Sequence, residues 1–372
     1  MLEYNVAAGV LPFVLQSFLA RIASMIAFTF IGLLPASCRT RIAASTRPTR
    51  FSLAWGAPCW PTLRPRAVLV ALGVEAFLGA PWAAPFALGR PTPSATVLTV
   101  SRPASATVIC LPHDLYPEAV CLALRNGVHV LKEKPFARDL ADARTMVECA
   151  KATGKIMMVA GQGKYHPGFQ RAREIVDSGV LGNVFLARGI ITYRWGAALE
   201  ANWSWRGIKK RSGGVAVIDS GWHILDLMHW LRGLPETVYC TLGKGEALPG
   251  QTYDVDDRAV LAMEYPDGGI ASVVCCFICQ PGNRQVILHG TGATLDIKND
   301  EVRLHVGNEE DTQVTRFRPP ANSLGPQLER FLHLIDTKAD PTTGAEEAYQ
   351  VQRIIDAAYR SAKAKKPVKL AE

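Results

Sequence analysis

Asp219 and His223 are four positions apart and are of the residue types that perform proton transfer. On a helix, residues with this spacing share one face. The pKa of histidine is ordinarily close to neutrality, which suits a general base or acid, and a carboxylate one turn away can orient the imidazole or contact the same hydroxyl. An isolated Asp-x-x-x-His pair is most often an exposed helix pair. Here it lies in a longer glycine-rich run, residues 213–226, which favours a chemical role.

Lys134 lies in the tripeptide Glu133-Lys134-Pro135, directly after a run that predicts a buried strand. Proline keeps the residue before it extended, so it directs the Lys134 side chain away from the end of that strand. An ammonium group there can donate to a substrate hydroxyl and favour its deprotonation. The tripeptide by itself indicates an active-site lysine and a surface lysine equally, because short motifs often arise by chance.

Cys275, Cys276 and Cys279 are close enough in sequence to suggest a metal site. No second cysteine pair and no histidine at ligand spacing follows them, and strand alternation places Cys276 on the face opposite the other two. The nine cysteines of the 372-residue chain show no paired spacing. We therefore predict reduced core thiols and no metal site.

The elements that must position these residues begin near residue 106. Short apolar strands then alternate with amphipathic helices, which is typical of parallel strands joined by right-handed helical crossovers. Strands are predicted at 106–111, 129–131 and 156–160, and helices at 117–126 and 140–152. This order predicts half of a doubly wound, Rossmann-type sheet. Ligands bind such sheets at the carboxyl ends of the strands, here near 112–114 and 132–135.

From residue 161 onwards the pattern changes. Helices are predicted at 169–177, 214–231, 324–336 and 346–364. Strands are predicted at 184–193, 238–242, 258–265, 269–278, 285–289, 294–297, 302–305 and 313–317. The pair Asp267-Gly268 between two alternating runs predicts a hairpin turn. The sequence therefore predicts a Rossmann-type parallel sheet of α/β class, followed by an α+β domain with a large open, mostly antiparallel sheet.

The first part of the chain differs in composition from the rest. Residues 1–110 contain nine Arg, two Glu and no Lys or Asp, a net charge of +7 (9 − 2). The other 32 basic and 31 acidic residues give residues 111–372 a net charge of +1. The predicted domains therefore offer no basic face for nucleic acid. No uncharged apolar run reaches the roughly 18 residues that a membrane span needs.

Three explanations of this composition are open: an organelle transit peptide, a secretory signal, and a stretch read outside its natural frame. The secretory signal fits least well, because Arg21 splits the apolar stretch. We favour the third explanation, since GC-rich DNA read out of frame yields Ala, Arg, Pro and Ser with few Lys or Asp. We therefore predict an atypical segment, 1–105, in place of the first Rossmann half. We predict the second Rossmann half at 106–160 and a domain for substrate binding and oligomerisation at 161–372.

Several motifs together resemble the Gfo/Idh/MocA family, named after glucose–fructose oxidoreductase, inositol dehydrogenase and MocA. They lie at 108–113, 127–135, 161–167, 177–182 and 213–226. The resemblance extends from about residue 107 to the C terminus. It implies an N-terminal Rossmann domain and a C-terminal α+β domain whose open sheet makes dimer or tetramer contacts. It also implies a nicotinamide-dependent oxidoreductase that acts on a sugar, polyol or similar hydroxyl compound.

The resemblance assigns roles to the residues already singled out. His223 would donate or accept the proton of the reacting C–OH or C=O group, and Asp219 and Lys134 would bind and polarise the same oxygen. Hydride would pass between that carbon and NAD or NADP, because the cofactor carries this chemistry. The predicted cofactor contacts, all at strand ends, are Pro112, His113, Glu133 and Pro135.

One feature departs from the family pattern. Residues 1–110 contain no G-x-G-x-x-G turn to hold a pyrophosphate, and no acidic residue about 20 positions beyond such a turn to hold a ribose. Two alternatives to a cytoplasmic sugar or polyol dehydrogenase are therefore open. They are a non-catalytic sensor of the same fold and an inactive product of a mis-framed N terminus. The retained Lys134, Asp219 and His223 favour the enzyme, because a sensor needs no proton-transfer pair.

Overall fold

The structure is a computed structural model of the chain. It describes residues 68–72, 105–194, 205–245, 253–298, 300–307, 311–318, 324–341 and 343–371. These residues all belong to one compact unit, 66–372. The predictions made for 1–67 and 73–104 lie outside the described residues.

The first sheet contains four described strands, all parallel, in the order β1-β2-β3-β4. They are β1 (Val68–Leu72), β2 (Ala106–Cys110), β3 (His129–Glu133) and β4 (Met157–Ala160). Helix α1 (Tyr116–Arg125) connects β2 to β3, and α2 (Leu140–Thr153) connects β3 to β4. The predicted Rossmann-type parallel sheet is confirmed. Its edge strand β1 lies in a segment where the sequence predicted no element.

Helix α2 begins and ends at the residues that its sequence indicates. The Asp139 carboxylate accepts a hydrogen bond from the Asp142 N–H at 2.9 Å, which satisfies one of the unpaired donors at a helix start. Gly154 follows the helix with a φ of 64°, the left-handed conformation that ends many helices. These local signals explain why the boundaries of this helix are predictable to within one residue.

The second sheet contains nine described strands in the order β12-β11-β10-β9-β5-β8-β7-β6-β13. The central strand β5 (Val184–Arg194) pairs in parallel with β8 (Ile270–Cys276) and antiparallel with β9 (Ile278–Gly290). The other strands are β6 (Thr237–Gly243), β7 (Arg258–Glu264), β10 (Ala293–Lys298), β11 (Glu301–Val306), β12 (Thr312–Arg316) and β13 (Val368–Lys369). This is the large, mostly antiparallel sheet that the sequence predicts.

Three longer helices pack against this sheet, α3 (Pro167–Asp177), α4 (Gly221–Arg232) and α6 (Thr343–Ala364), whereas α5 (Gly325–Asp336) packs against the first sheet. Helix α6 contacts β4 of the first sheet and β6 of the second. Its buried side chains include Ile354, Ile355 and Ala358. The apolar face of one helix therefore fixes the two sheets to each other. Within the described ranges, no helix is long and apolar enough to cross a bilayer.

The predicted helix 214–231 is wrong at its start. Residues Ala216–Ser220 form a π-helical turn, in which the Gly221 N–H bonds to the Ala216 carbonyl, and the α-helix begins only at Gly221. Gly214, with a φ of 141°, cannot be helical. A π turn inserts a residue into the helical repeat. Asp219 and His223 therefore do not occupy the regular positions of one α-helix.

Asp256 holds the start of this π turn. Its Oδ1 accepts the Val215 N–H at 3.2 Å and its Oδ2 accepts the Val217 N–H at 3.1 Å. The Tyr359 hydroxyl, from α6, donates to both oxygens of the same carboxylate, at 3.0 and 3.1 Å. A carboxylate at a helix start also interacts favourably with the helix dipole. The position of the turn thus depends on a buried acidic side chain outside it.

Cys276 and Cys279 form a disulfide, so the prediction of reduced thiols is wrong for this pair. The alternation argument failed because Cys279 belongs to a new strand, β9, and not to the strand that contains Cys276. Cys275 is a free, buried thiol, as expected. No group of three His, Cys, Asp or Glu residues suited to a metal ion is found among the described residues.

We expect Asp256→Ala to lower the free energy of unfolding by about 2–3 kcal/mol, since it leaves the buried N–H groups of Val215 and Val217 without an acceptor. Urea unfolding measures this loss. Asp256→Asn keeps one carbonyl oxygen and should lose less, and Asp300→Ala, at an exposed position, is the control. An unaltered unfolding midpoint for Asp256→Ala would show that the turn does not need this carboxylate.

Candidate active site

The carboxyl end of β3 carries Lys134, whose ammonium group contacts Asp219 of the π turn. The Lys134 Nζ donates to the Asp219 Oδ1 and, at 3.2 Å, to the Asp219 main-chain oxygen. The Lys134 side chain is 16% exposed and that of Asp219 only 3%. An ammonium group has three N–H donors. Two are directed at Asp219, so one remains for an oxygen of a ligand.

Asp219 is paired with a second cation, Arg206, whose Nε lies 3.3 Å from the Asp219 Oδ2. Burial by itself would raise the pKa of Asp219, but the charges of Lys134 and Arg206 lower this pKa below its usual range. The carboxylate therefore stays ionised and holds both cations in place. Arg206 was not predicted from the sequence, where its only mark is the neighbouring Trp205, whose ring centroid lies 4.3 Å from the guanidinium carbon.

Lys132 is fully buried and shapes the turn that presents Lys134. Its Nζ donates, at 2.7, 2.5 and 2.7 Å, to three main-chain carbonyl oxygens of that turn, those of Glu133, Pro135 and Phe136. Burial lowers the pKa of Lys132. The three carbonyls compensate this ammonium group for its lost hydration. The sequence analysis missed Lys132; its signal was a charged residue inside an apolar parallel strand.

His223 is half-buried in the first turn of α4. Burial, followed by the charges of Lys134 and Arg284, lowers the pKa of His223 well below its ordinary value, and the charge of Asp219 opposes this shift. The imidazole is therefore neutral at pH 7 and able to accept a proton. The Asp219 carboxylate is turned toward Lys134 and Arg206, and no hydrogen bond joins it to His223 in the described part of the chain.

The structure places the four predicted cofactor residues at the ends of β2 and β3. His113 is buried, with its Nδ1 2.7 Å from the Ser212 carbonyl oxygen, and burial lowers the pKa of His113 to about 3. The Glu133 carboxylate accepts the Lys134 N–H at 3.2 Å, and burial raises the pKa of Glu133. Contact of Pro112, His113, Glu133 and Pro135 with a cofactor stays a prediction.

Three side chains that the sequence analysis did not assign to the site contain buried polar atoms without a hydrogen-bond partner in the described ranges. These atoms are Gln162 Oε1, His166 Nδ1, and Nε and Nη2 of Arg284. Gln162 and His166 follow the carboxyl end of β4, and the charge of Arg284 acts on both His166 and His223. Buried polar groups are nearly always paired. These atoms are therefore candidates for contacts with a ligand.

Two family models match the chain. One describes an oxidoreductase family with an NAD-binding Rossmann fold and matches residues 91–161. The other describes the GFO/IDH/MocA C-terminal domain and matches residues 169–296. The first match covers β2 to β4 and the second covers β5 to β9 and most of β10, and together they define an oxidoreductase family with an NAD-binding Rossmann fold. The chain belongs to the Gfo/Idh/MocA family, as its motifs suggested.

Relatives with assigned activities match most of the described region. D-glucoside 3-dehydrogenase of Escherichia coli is 26% identical over 285 residues, which are 73% of this chain and 80% of the relative. Levoglucosan dehydrogenase of Pseudarthrobacter phenanthrenivorans is 24% identical over 247 residues, 59% of this chain and 63% of the relative. A solved levoglucosan dehydrogenase complex with NADH and levoglucosan has a TM-score of 0.67 at 21% identity, over 72% of this chain and 80% of that one. It shares the fold.

The described residues fit the nicotinamide end of the cofactor that this family implies. Lys134 lies at a strand end where the sheet binds ligands. The buried Gln162 Oε1 lacks a donor such as a carboxamide N–H. The pyrophosphate end has no equivalent support, since residues 1–110 contain no G-x-G-x-x-G turn.

We expect Lys132→Met to lower the free energy of unfolding by about 2 kcal/mol, because it leaves three buried carbonyl oxygens without a donor. Chemical denaturation measures the change. Lys151→Met, at an exposed position of α2, is the matched control and should unfold like the wild type. Equal stabilities of the two variants would contradict the role given to the Lys132 ammonium group.

Proposed function

We propose that this protein is a nicotinamide-dependent dehydrogenase or reductase that acts on a C–OH or C=O group of a sugar or polyol. The observation that carries the proposal is the contact between Lys134 and Asp219 at the carboxyl edge of the Rossmann-type sheet, beside the neutral His223. Family membership supports the reaction type. The sugar dehydrogenases among the relatives support the substrate class.

In the direction of oxidation, the neutral His223 imidazole accepts the proton of the substrate hydroxyl. The remaining N–H of Lys134 donates to the same oxygen and stabilises the negative charge that develops there. Asp219 holds the Lys134 ammonium group in position. The cofactor, when bound, supplies the hydride acceptor. In the direction of reduction, His223 returns the proton to the oxygen, and Lys134 polarises the carbonyl.

The test is turnover of aldoses and polyols by the full chain with NAD and with NADP, followed by the absorbance of the reduced cofactor. We expect turnover, and we expect His223→Ala to lower kcat/KM at least about 100-fold because the proton acceptor is lost. Its affinity for NADH, measured by fluorescence, should be retained. His333→Ala, at an exposed position, is the control.

Two results would contradict the enzymatic proposal. Binding of NADH without turnover of any sugar would favour the sensor. Absence of both would favour an inactive chain whose first 105 residues cannot hold the cofactor. A near-normal rate for His223→Ala would refute only the role of the imidazole as proton acceptor and would leave the enzymatic proposal standing.

The pH dependence follows from the lowered pKa of His223. A base stays deprotonated above its pKa, so kcat/KM for oxidation should stay constant as the pH falls from 8 to about 6.5, the ordinary pKa of histidine. It should decrease only below that pH, as the imidazole becomes protonated. Steady-state rates across this range measure the profile, with circular dichroism at each pH to confirm folding. A decrease centred near neutrality would contradict the effect of burial and of the neighbouring cations.

A further inference from the structure

Arg284 on β9 extends toward the carboxyl end of β4. Its guanidinium carbon lies 5.3 Å from the centroid of the Phe169 ring on α3. Its Nη2 lies 2.8 Å from the position that a Cβ atom on residue 163 would occupy. Residue 163 is glycine, which has no Cβ and therefore leaves room for the guanidinium group. The guanidinium group is thus held against the segment that follows β4.

The charge of Arg284 has no ion-pair partner within the described ranges. Its Nε and Nη2 are buried and lack an acceptor among the described residues, although the side chain as a whole is only half-buried. The carboxylate of Asp226 acts on its charge. That carboxylate already pairs with Lys164 at 2.9 Å. The Asp219 carboxylate is also already paired, with Lys134 and Arg206. Arg284 is therefore a cation of the site whose charge no carboxylate of the described residues neutralises.

His166 adds a second group without a hydrogen-bond partner in the part of the chain that the structure describes. Its Nδ1 is buried, and burial together with the charge of Arg284 lowers the pKa of His166, so the ring is neutral at pH 7. A neutral imidazole contributes one N–H donor. One guanidinium charge beside one neutral donor matches a singly charged, two-oxygen group. A phosphate dianion carries two negative charges, and only one of them would be matched by the guanidinium charge of Arg284.

We propose that Arg284 and His166 bind a carboxylate of the substrate, so that the substrate is a sugar acid rather than a neutral sugar. The carboxylate supplies the acceptors that the Nε and Nη2 atoms of Arg284 lack among the described residues, while the hydroxyl to be oxidised lies at His223 and Lys134. Paired N–H donors on a planar fork are the arrangement that binds carboxylates most specifically. This inference rests on the proposed function.

The experiment compares one sugar skeleton in three forms: methyl glucoside, methyl glucosiduronate and methyl glucoside 6-phosphate. Steady-state kinetics of the full chain give kcat/KM for each. We expect the uronate to exceed the neutral glycoside about tenfold or more in kcat/KM, and Arg284→Gln to reduce this preference about 10- to 100-fold, the range for loss of a hydrogen bond to a charged group. Arg284→Lys should restore part of it. The control Arg188→Gln, exposed on the adjacent strand β5, should keep the preference.

Calorimetric binding of the same three compounds, without cofactor, separates this inference from the proposed function. Uronate binding that Arg284→Gln abolishes, without turnover of any compound, would confirm the carboxylate site and contradict the dehydrogenase. Turnover with equal preference for uronate and glycoside, or a preference for the phosphate, would overturn the carboxylate site. Uronate binding unaffected by Arg284→Gln would also overturn it.

Discussion

The ion pair between Lys134 and Asp219 joins residues that are 85 positions apart in the chain. One partner stands at the end of a parallel strand and the other in a π turn of the second half of the molecule. Removal of Asp219 would leave the Lys134 ammonium group without its counter-charge in a largely dehydrated place, which is far more costly than the pair itself. The geometry around the pair is accordingly fixed from both sides, by Lys132 beneath the strand end and by Asp256 beneath the turn.

The same pair determines the chemistry available to His223. Asp219 is occupied by two cations, so it does not stabilise a charged imidazole by direct hydrogen bonding. Burial and the nearby positive charges then keep the imidazole neutral. A neutral base beside an ammonium donor suits removal of a proton from an alcohol, whereas a protonated histidine there would repel Lys134. The carboxylate thus serves as an anchor for cations, and the imidazole serves as the base.

Most elements from residue 106 onward follow from local pattern. Alternating or continuous apolar runs predict β2 to β12, and helix caps such as Asp139 and Gly154 predict helix ends. The exceptions have physical causes. The helix 214–231 begins late because Gly214 has a backbone conformation outside the helical range and because Asp256 supplies acceptors for a π turn. The sequence did not predict the Cys276–Cys279 disulfide, because no change in the apolar pattern marks the break between the two strands that carry these cysteines.

The sequence by itself determined the residue types of the site, the order of elements and the family resemblance, since these depend on a few neighbouring residues at a time. It indicated Lys134, Asp219 and His223 from motifs alone. Only the tertiary structure decided that Asp219 faces two cations and that Arg284 has no ion-pair partner among the residues that the structure describes. Hydrogen-bond partners of buried charges come from distant strands and helices, and neither spacing nor periodicity along one segment records which distant residue will fold against it.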